Sequence, residues 1–381
     1  MARGARPRRR ARGAALSEAA ARKPRLLVLV SPYGATMHAD VIETCARLRE
    51  RYDVRVMAPH AEVRAFAQRR LWVEGWKPLG FLGVFLAVRR LRVAVQGFRP
   101  DLVHAHGWPA ISLALGTFPD ALAGRTIASF HDPLRNRELP QKLVDARFPL
   151  YLKRAAVLTS AYPTLARALE RRFDFPADTF SIVPHGVDGL EDGDPELERA
   201  PGRPGPVFGW YGRLAPDPAW QTAIDTLAAL RKDLPAARLI VAGDGPSRQF
   251  VAAHARQKRV DDAVEFRGDL DQSTFFNAID LLVSPITVDA QPEIVLAALC
   301  RGIPVVAANA GAFKDALEGM PCGWLVPDDV AGFAEGVRDA WAGIDEAWRQ
   351  AALQRHVARS TYMRETVLAR LEATYARVDS P

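Results

Sequence analysis

Cysteine is scarce. Three residues, Cys45, Cys300 and Cys322, are scattered among 381, so neither a disulfide framework nor a cysteine metal cluster is implied. Long apolar runs are equally few: the longest largely apolar stretch, Leu79 to Val88, is ten residues, against the roughly 20 that span a bilayer. A secretion signal needs an apolar stretch and a small-residue cleavage site after its charges. The one candidate, Leu26 to Val30, runs into the turn Ser31-Pro32-Tyr33-Gly34 and reads better as a first buried strand. GxGxxG and GxxxxGK[ST] are both missing, which disfavours a classical dinucleotide enzyme or a P-loop ATPase. A soluble, cytoplasmic chain is the expectation.

What is present is ordinary globular composition, 49% hydrophobic and 25% charged, at a length that suggests two domains. The net charge of +7 invites a nucleic-acid reading, but its distribution argues against one. Residues 1–25 hold nine basic side chains and one acid; the rest carries 42 basic and 43 acidic groups. The body is neutral, and the basicity belongs to an Arg/Ala-rich tail over 1–24 with no core-forming pattern, read as disordered.

Short apolar runs alternate with helical patterns, the signature of parallel sheets with crossover helices. Strands are expected at 26–30, 54–58, 102–104, 126–130, 157–160 and 181–184, then at 207–211, 239–242, 264–267, 281–284, 305–308 and 324–326. The segment 191–206, with four Pro, three Gly and five acids, reads as a linker. An α/β chain of two doubly wound, Rossmann-like halves follows, over 25–190 and 207–362. A last amphipathic helix within 363–381 is expected to pack back toward the first half. Ligands of such sheets bind at the carboxyl ends of strands, so the site belongs in a central cleft.

Four segments of the second half could carry chemistry. VFGWYGRLAPD (207–217) ends a strand in Gly212-Arg213, where glycine admits a close backbone and the arginine fork suits phosphate oxygens. ARLIVAGDGPSRQ (237–249) places Gly243 and Gly245 in a strand-to-helix turn. VEFRGDLD (264–271) brings Phe266 and Arg267 to a tight turn, where backbone groups suit a base. DLLVSPITVDAQPEIVLAALCRGIPVVAANAG (280–311) holds a strand, a loop with Asp289 and a helix over about 292–300. At that helix's start the N–H groups of Glu293, Ile294 and Val295 are suited to an anion.

In this order the segments resemble the C-terminal half of glycosyltransferase family 4, and AALCRGIPVV (297–306) matches the family's AxxxGxPVV closely. In the first half PDLVHAHG (100–107), ASFHDP (128–133), AAVLTS (155–160) and IVPHGVD (182–188) are similar to the family's other segments. The resemblance spans roughly residues 25–377. It implies a GT-B fold and retaining, metal-independent transfer of a sugar from a nucleotide-diphosphate donor, UDP- or GDP-linked, to an unspecified acceptor. No cofactor and no specific nucleic acid are expected; cell-envelope polysaccharide or glycolipid synthesis is the expected setting.

By the same resemblance Arg213 grips the diphosphate, Asp289 contacts sugar hydroxyls, His131 stands near the sugar and Gly34 lies in a loop approaching the phosphates. His104 and His106 are acceptor-side candidates. His185, where the family more often has Asn, is expected to be structural. Two positions depart from the pattern. A diphosphate-gripping Lys falls on Pro218, and the second acid of the pair falls on Ala297; Glu293 is a candidate substitute. These departures motivate the alternative of a degenerate sugar-nucleotide-binding or partner subunit. Finally, residues 69–95, with Trp72, Trp76, Phe81, Leu82 and Phe85 beside Arg89, Arg90 and Arg92, form an aromatic and basic stretch. With the basic tail it suits the inner face of the plasma membrane.

Overall fold

The computed structural model describes residues 22–32, 35–76, 80–131, 148–190, 202–216, 219–285 and 292–379. Gly34, Pro218 and Asp289, together with residues 1–21 of the tail and 191–201 of the proline-rich segment, lie outside them. The first sheet comprises β1 (Arg25–Val30), β2 (Asp53–Pro59), β3 (Trp72–Trp76), β4 (Leu102–His106), β5 (Thr126–Phe130), β6 (Val157–Ser160) and β7 (Phe180–Ile182). The second comprises β8 (Val207–Tyr211), β9 (Arg238–Ala242), β10 (Val264–Gly268), β11 (Leu281–Ser284), β12 (Val305–Ala308) and β13 (Gly323–Val326).

Their orders are β3-β2-β1-β4-β5-β6-β7 and β10-β9-β8-β11-β12-β13, with every strand pair parallel. In each sheet the order reverses beside the first strand, so the carboxyl ends there open a crevice. The central strands are buried along nearly their whole length, which is why they read as unbroken apolar runs rather than alternating ones.

One stretch differs from its expected form. Residues 69–95 do not make a single amphipathic element: Trp72–Trp76 forms the edge strand β3, paired with β2, and a helix runs over Gly80–Phe98. Residues 77–79, between the two, lie outside the described residues. Arg55 of β2 lies over the rings of both Trp72 and Phe98, 4.8 and 4.4 Å from their centroids, so this part of the stretch packs on its own sheet. The side chains of Trp76, Phe81 and Leu82 are outside the described residues.

The C-terminal helix Arg364–Asp379 lies against the first sheet. Its Leu371 and Tyr375 join the core formed by Leu26, Val28, Val30 and Val41, and Tyr375 is fully buried. Where the chain passes between the sheets, the turn His185–Asp188 is tied from both sides. Val187 N–H donates to the Tyr362 carbonyl at 2.7 Å, and Arg364 N–H to the Val187 carbonyl at 3.0 Å. The buried Arg364 guanidinium donates to Asp188 (2.7 Å), the Gly186 carbonyl (2.8 Å), Asp40 (2.5 Å) and Thr44 (3.0 Å). Asp40, on the helix Ala35–Leu48, also accepts from Gly186 N–H at 3.0 Å.

Removing one member of such a buried ion cluster leaves uncompensated charge. Arg364→Met is expected to lower unfolding stability by about 3–5 kcal/mol, measured by urea denaturation. A loss below about 1 kcal/mol would show that the cluster is not what holds the turn.

Candidate functional site

Alternation along two neighbouring strands assembles the first part of the site. Side chains two apart on a strand share a face, so His104 and His106 project together from β4, and Ser129 and His131 together from the end of β5. The parallel register sets His106 beside Ser129. His104 is fully engaged: one ring nitrogen meets the Tyr375 hydroxyl at 2.8 Å and the other Ser129 Oγ at 2.6 Å. It is a joint between sheet and C-terminal helix.

The other histidines form a file. His106 Nδ1 lies 3.0 Å from His131 Nε2, His131 Nδ1 lies 3.0 Å from His185 Nε2, and His185 Nδ1 lies 2.7 Å from Glu293 Oε1. All three imidazoles are buried. Glu293 begins the helix Glu293–Arg301 of the second half, so the file joins the carboxyl ends of the two sheets. His185, expected from the sequence to be structural, links the file to the second half. The visible signal was a histidine in a turn after β7; what it reaches, 108 residues away, has no local trace.

Charge is distributed unevenly along the file. Burial, reinforced by neighbouring histidines, holds His106 well below its ordinary value. Burial and His185 do the same to His131, despite the pull of Asp40. His104 is pushed down to about 3 by burial. For His185 burial acts in the same direction, but Asp40 and the Glu293 carboxylate outweigh it, and its pKa is raised. Asp40 is itself lowered: burial opposes ionisation, while His185 and Arg364 favour it more. His185 is therefore the member of the file whose charged form its surroundings favour.

On the second half, the turns after β8 and β9 are laced backbone to backbone. Gly212 N–H donates to the Ala242 carbonyl at 3.0 Å, Leu214 N–H to Asp244 at 3.1 Å, and Ser247 N–H to Leu214 at 2.9 Å. A Cβ on Gly243 would stand 1.9 Å from the Gly212 carbonyl oxygen, at a φ of +124°, so only glycine fits there. A Cβ on Gly245 would stand 2.4 Å from the Leu214 carbonyl oxygen. Arg213 leaves this turn exposed, and among the described residues its side chain makes no ion pair or hydrogen bond. In the helix Glu293–Arg301 the first backbone bond is Leu296 N–H to the Pro292 carbonyl. The N–H groups of Glu293, Ile294 and Val295 precede it and have no acceptor within the helix.

The side chains of two residues singled out in β10 are engaged locally. Arg267 pairs with Glu265 at 2.6 Å and lines a shallow cavity of about 290 Å³ with Arg203 and Arg238, beside the amino ends of β8 and β9. Phe266 packs on the core of the second half. Ala297, at the position where the second acid is expected, is buried in that core. Among the described residues no group of three or more His, Cys, Asp or Glu could hold a metal ion.

Two family models match the chain: Glycosyltransferase Family 4 over residues 34–189 and Glycosyl transferases group 1 over residues 205–342. A glycogen synthase of Mycobacterium tuberculosis is 28% identical over 296 residues, covering 74% of this chain and 69% of that protein. A 2-deoxystreptamine N-acetyl-D-glucosaminyltransferase of Streptomyces fradiae is 27% identical over 319 residues, covering 77% and 75%. Among solved structures, Anabaena Alr3699/HepE in complex with UDP superposes with a TM-score of 0.71 at 19% identity, over 92% of this chain and 99% of that one. A glycosyltransferase from Rickettsia africae gives 0.73 at 11% identity, over 94% and 99%. The architecture is thus the GT-B fold.

The buried histidines make an acid-sensitivity prediction. Unfolded, each takes up a proton near pH 6.5; folded, His104, His106 and His131 stay neutral. The unfolded state therefore binds more protons below that pH, and stability falls as pH drops. His185 has the opposite sign and offsets part of the loss. Between pH 7 and 5 each neutral histidine is expected to remove about 2 kcal/mol, followed by urea unfolding at fixed ionic strength. Unchanged stability over that window would show that the three histidines take up protons in the folded chain.

Proposed function

The chain belongs to the family 4, group 1 glycosyltransferases and is a glycosyltransferase enzyme; from that premise we propose that it moves a sugar from a nucleoside-diphosphate donor to an acceptor hydroxyl with retention at the anomeric carbon. UDP or GDP is the proposed carrier. The observation that carries this reading is the hydrogen-bonded link from Glu293 through His185 to His131. It shows that the amino end of the Glu293 helix and the carboxyl ends of β4 and β5 face one another. A donor placed there would set its diphosphate on the second half and its sugar toward the histidines.

The chemistry follows from charge. As the glycosidic bond breaks, negative charge grows on the diphosphate and positive charge on the anomeric carbon. Arg213 is a cation without a protein partner among the described residues, and the N–H groups of Glu293, Ile294 and Val295 are directed donors. Both are proposed to stabilise the departing diphosphate. His131 is proposed to stay neutral near the reacting sugar, since burial disfavours its charged form. Gly212, Gly243 and Gly245 are proposed to bring the backbone close to the donor, and Asp289 and Gly34, outside the described residues, to contact its sugar and phosphates. The names of the relatives are compatible with sugar polymers and with small aminocyclitols as acceptors; envelope polysaccharide or glycolipid synthesis is the proposed setting.

A second reading has one specific observation in its favour. Ala297 fills a core position where the family's second acid is expected, so a nucleotide-binding partner subunit without transfer is the alternative. Release of UDP or GDP from the corresponding nucleotide sugars by the purified chain supports the enzyme, and binding without release supports the subunit. Arg213→Ala is expected to weaken UDP or GDP binding, or to slow turnover, at least tenfold with the fold intact, as measured by calorimetry and initial rates. Unchanged binding and unchanged rate would remove Arg213 from the site.

The helix Gly80–Phe98 exposes Phe85, Leu86 and Val93 beside Arg89 and Arg92. No helix among the described residues is long and apolar enough to cross a membrane, and we propose that this face rests on an anionic lipid surface. Each basic group near such a surface contributes about 1 kcal/mol. Phe85→Asp combined with Val93→Asp is expected to reduce sedimentation with phosphatidylglycerol vesicles at least fivefold. Equal sedimentation of the variant would overturn the assignment.

A further inference from the structure

The histidine file admits only two hydrogen-bond patterns. His185 Nδ1 faces a carboxylate oxygen of Glu293, so Nδ1 carries a proton and donates. If His185 Nε2 is protonated as well, it donates to His131 Nδ1; the His131 proton then sits on Nε2 and is donated to His106 Nδ1. The His106 proton is left on Nε2. If His185 Nε2 is bare, it accepts from His131 Nδ1–H, and His131 Nε2 accepts from His106 Nδ1–H. His106 Nε2 is then a lone pair. Among the described residues His106 Nε2 has no hydrogen-bond partner, and it is the end of the file that lies at the carboxyl end of β4. The patterns differ by one proton, gained or lost at His106 Nε2, together with one shift along each of the two inner hydrogen bonds.

We propose that His185 is a positioning residue of the transfer site, whose protonation sets the tautomers of His131 and His106 together, so that His106 Nε2 presents either an N–H or a lone pair to a hydroxyl of the bound sugar or acceptor. The hydroxyl ligand rests on the glycosyltransferase reading above; the coupling of tautomers does not. The groups around His185 favour its control. Glu293 approaches from the second half, Asp40 from the helix Ala35–Leu48, and Arg364, paired with Asp40 and Asp188, from the C-terminal helix. His131 is its neighbour within the file, and His38 adds repulsion at His131 and His106. Two carboxylates act on His185, whereas neither His131 nor His106 has a carboxylate hydrogen-bonded to it, so the extra proton rests at the Glu293 end. Because Glu293 belongs to the second half, this control exists only while the halves stand as they do here.

The test reads tautomers directly. The full chain is labelled with 15N-histidine, and long-range proton–nitrogen spectra are recorded between pH 5.5 and 9, with His106→Gln and His131→Gln for assignment. In the wild type His131 and His106 are expected to pass from Nε2–H to Nδ1–H together, with one shared midpoint. In His185→Asn that shared change should vanish. In Glu293→Gln, which keeps His185 but removes the negative charge, the midpoint should fall by at least one pH unit, a tenfold change in proton affinity. Fixed tautomers in the wild type, separate midpoints for the two residues, or persistence of the shared change in His185→Asn would overturn the proposal. The measurement needs no substrate. A chain that turns over no nucleotide sugar yet shows the coupled change would count against the proposed reaction and leave the coupling standing.

Discussion

The buried guanidinium of Arg364 sits where the chain passes between its two sheets for the second time, and it gathers the first passage to itself. It donates to Asp40 and Asp188, and to the Gly186 carbonyl as a further partner. A side chain at residue 186 would stand 2.6 Å from that guanidinium, so glycine is a steric consequence of the arginine. With Gly186 fixed, His185 is turned inward between His131 and Glu293. The arrangement of the site is thus inherited from an ion cluster beside it. Buried ion pairs contribute little net stability compared with apolar packing, but they are intolerant of a missing partner. That intolerance is what makes the turn a fixed point.

The electrostatics of the cleft divide along the same line. The first half supplies the desolvated imidazoles of His104, His106 and His131, held toward the neutral form, with His185 beside them favoured toward the charged form; the second supplies backbone N–H groups and Arg213, which has no ion pair among the described residues. Glu293 is the exception, a carboxylate at the start of a helix whose N–H groups would otherwise be open to an anion. Its hydrogen bond to His185 compensates that negative charge from across the cleft. One contact therefore joins the halves, balances the acid and polarises the histidine file.

Most of the architecture was legible because parallel strands buried on both faces write themselves as apolar runs, and eleven of thirteen strands overlap such runs at their centres with only end residues shifted. The strand β7 was read slightly late, at 181–184 against Phe180–Ile182. Trp72–Trp76 was missed because an edge strand with a glycine and two tryptophans, set among arginines, looks like part of an amphipathic surface helix. For the site, the H-A-H spacing of β4 and the strand-end position of His131 were readable, as was the Gly-Asp-Gly turn. The role of His185 was not. Its partners come from a strand end and from a helix of the other half, and no spacing in the sequence connects them. For Phe266 and Arg267 the tight turn suggests backbone contacts to a base, while the Arg267 side chain pairs locally with Glu265.

The seat of the C-terminal helix also bears on synthesis. His104 of the first sheet hydrogen-bonds Tyr375, 271 residues further on, and Arg51 pairs with Glu372. A nascent chain emerging amino end first has all seven strands of the first sheet exposed long before the helix that covers Leu26, Val28 and Val30 is made. Contacts of such long sequence separation form late and slowly, and domains that cannot close during translation expose apolar surface meanwhile. The first half, though complete in its strands, is closed only by a helix translated after the whole of the second sheet, and removing that helix unroofs the first.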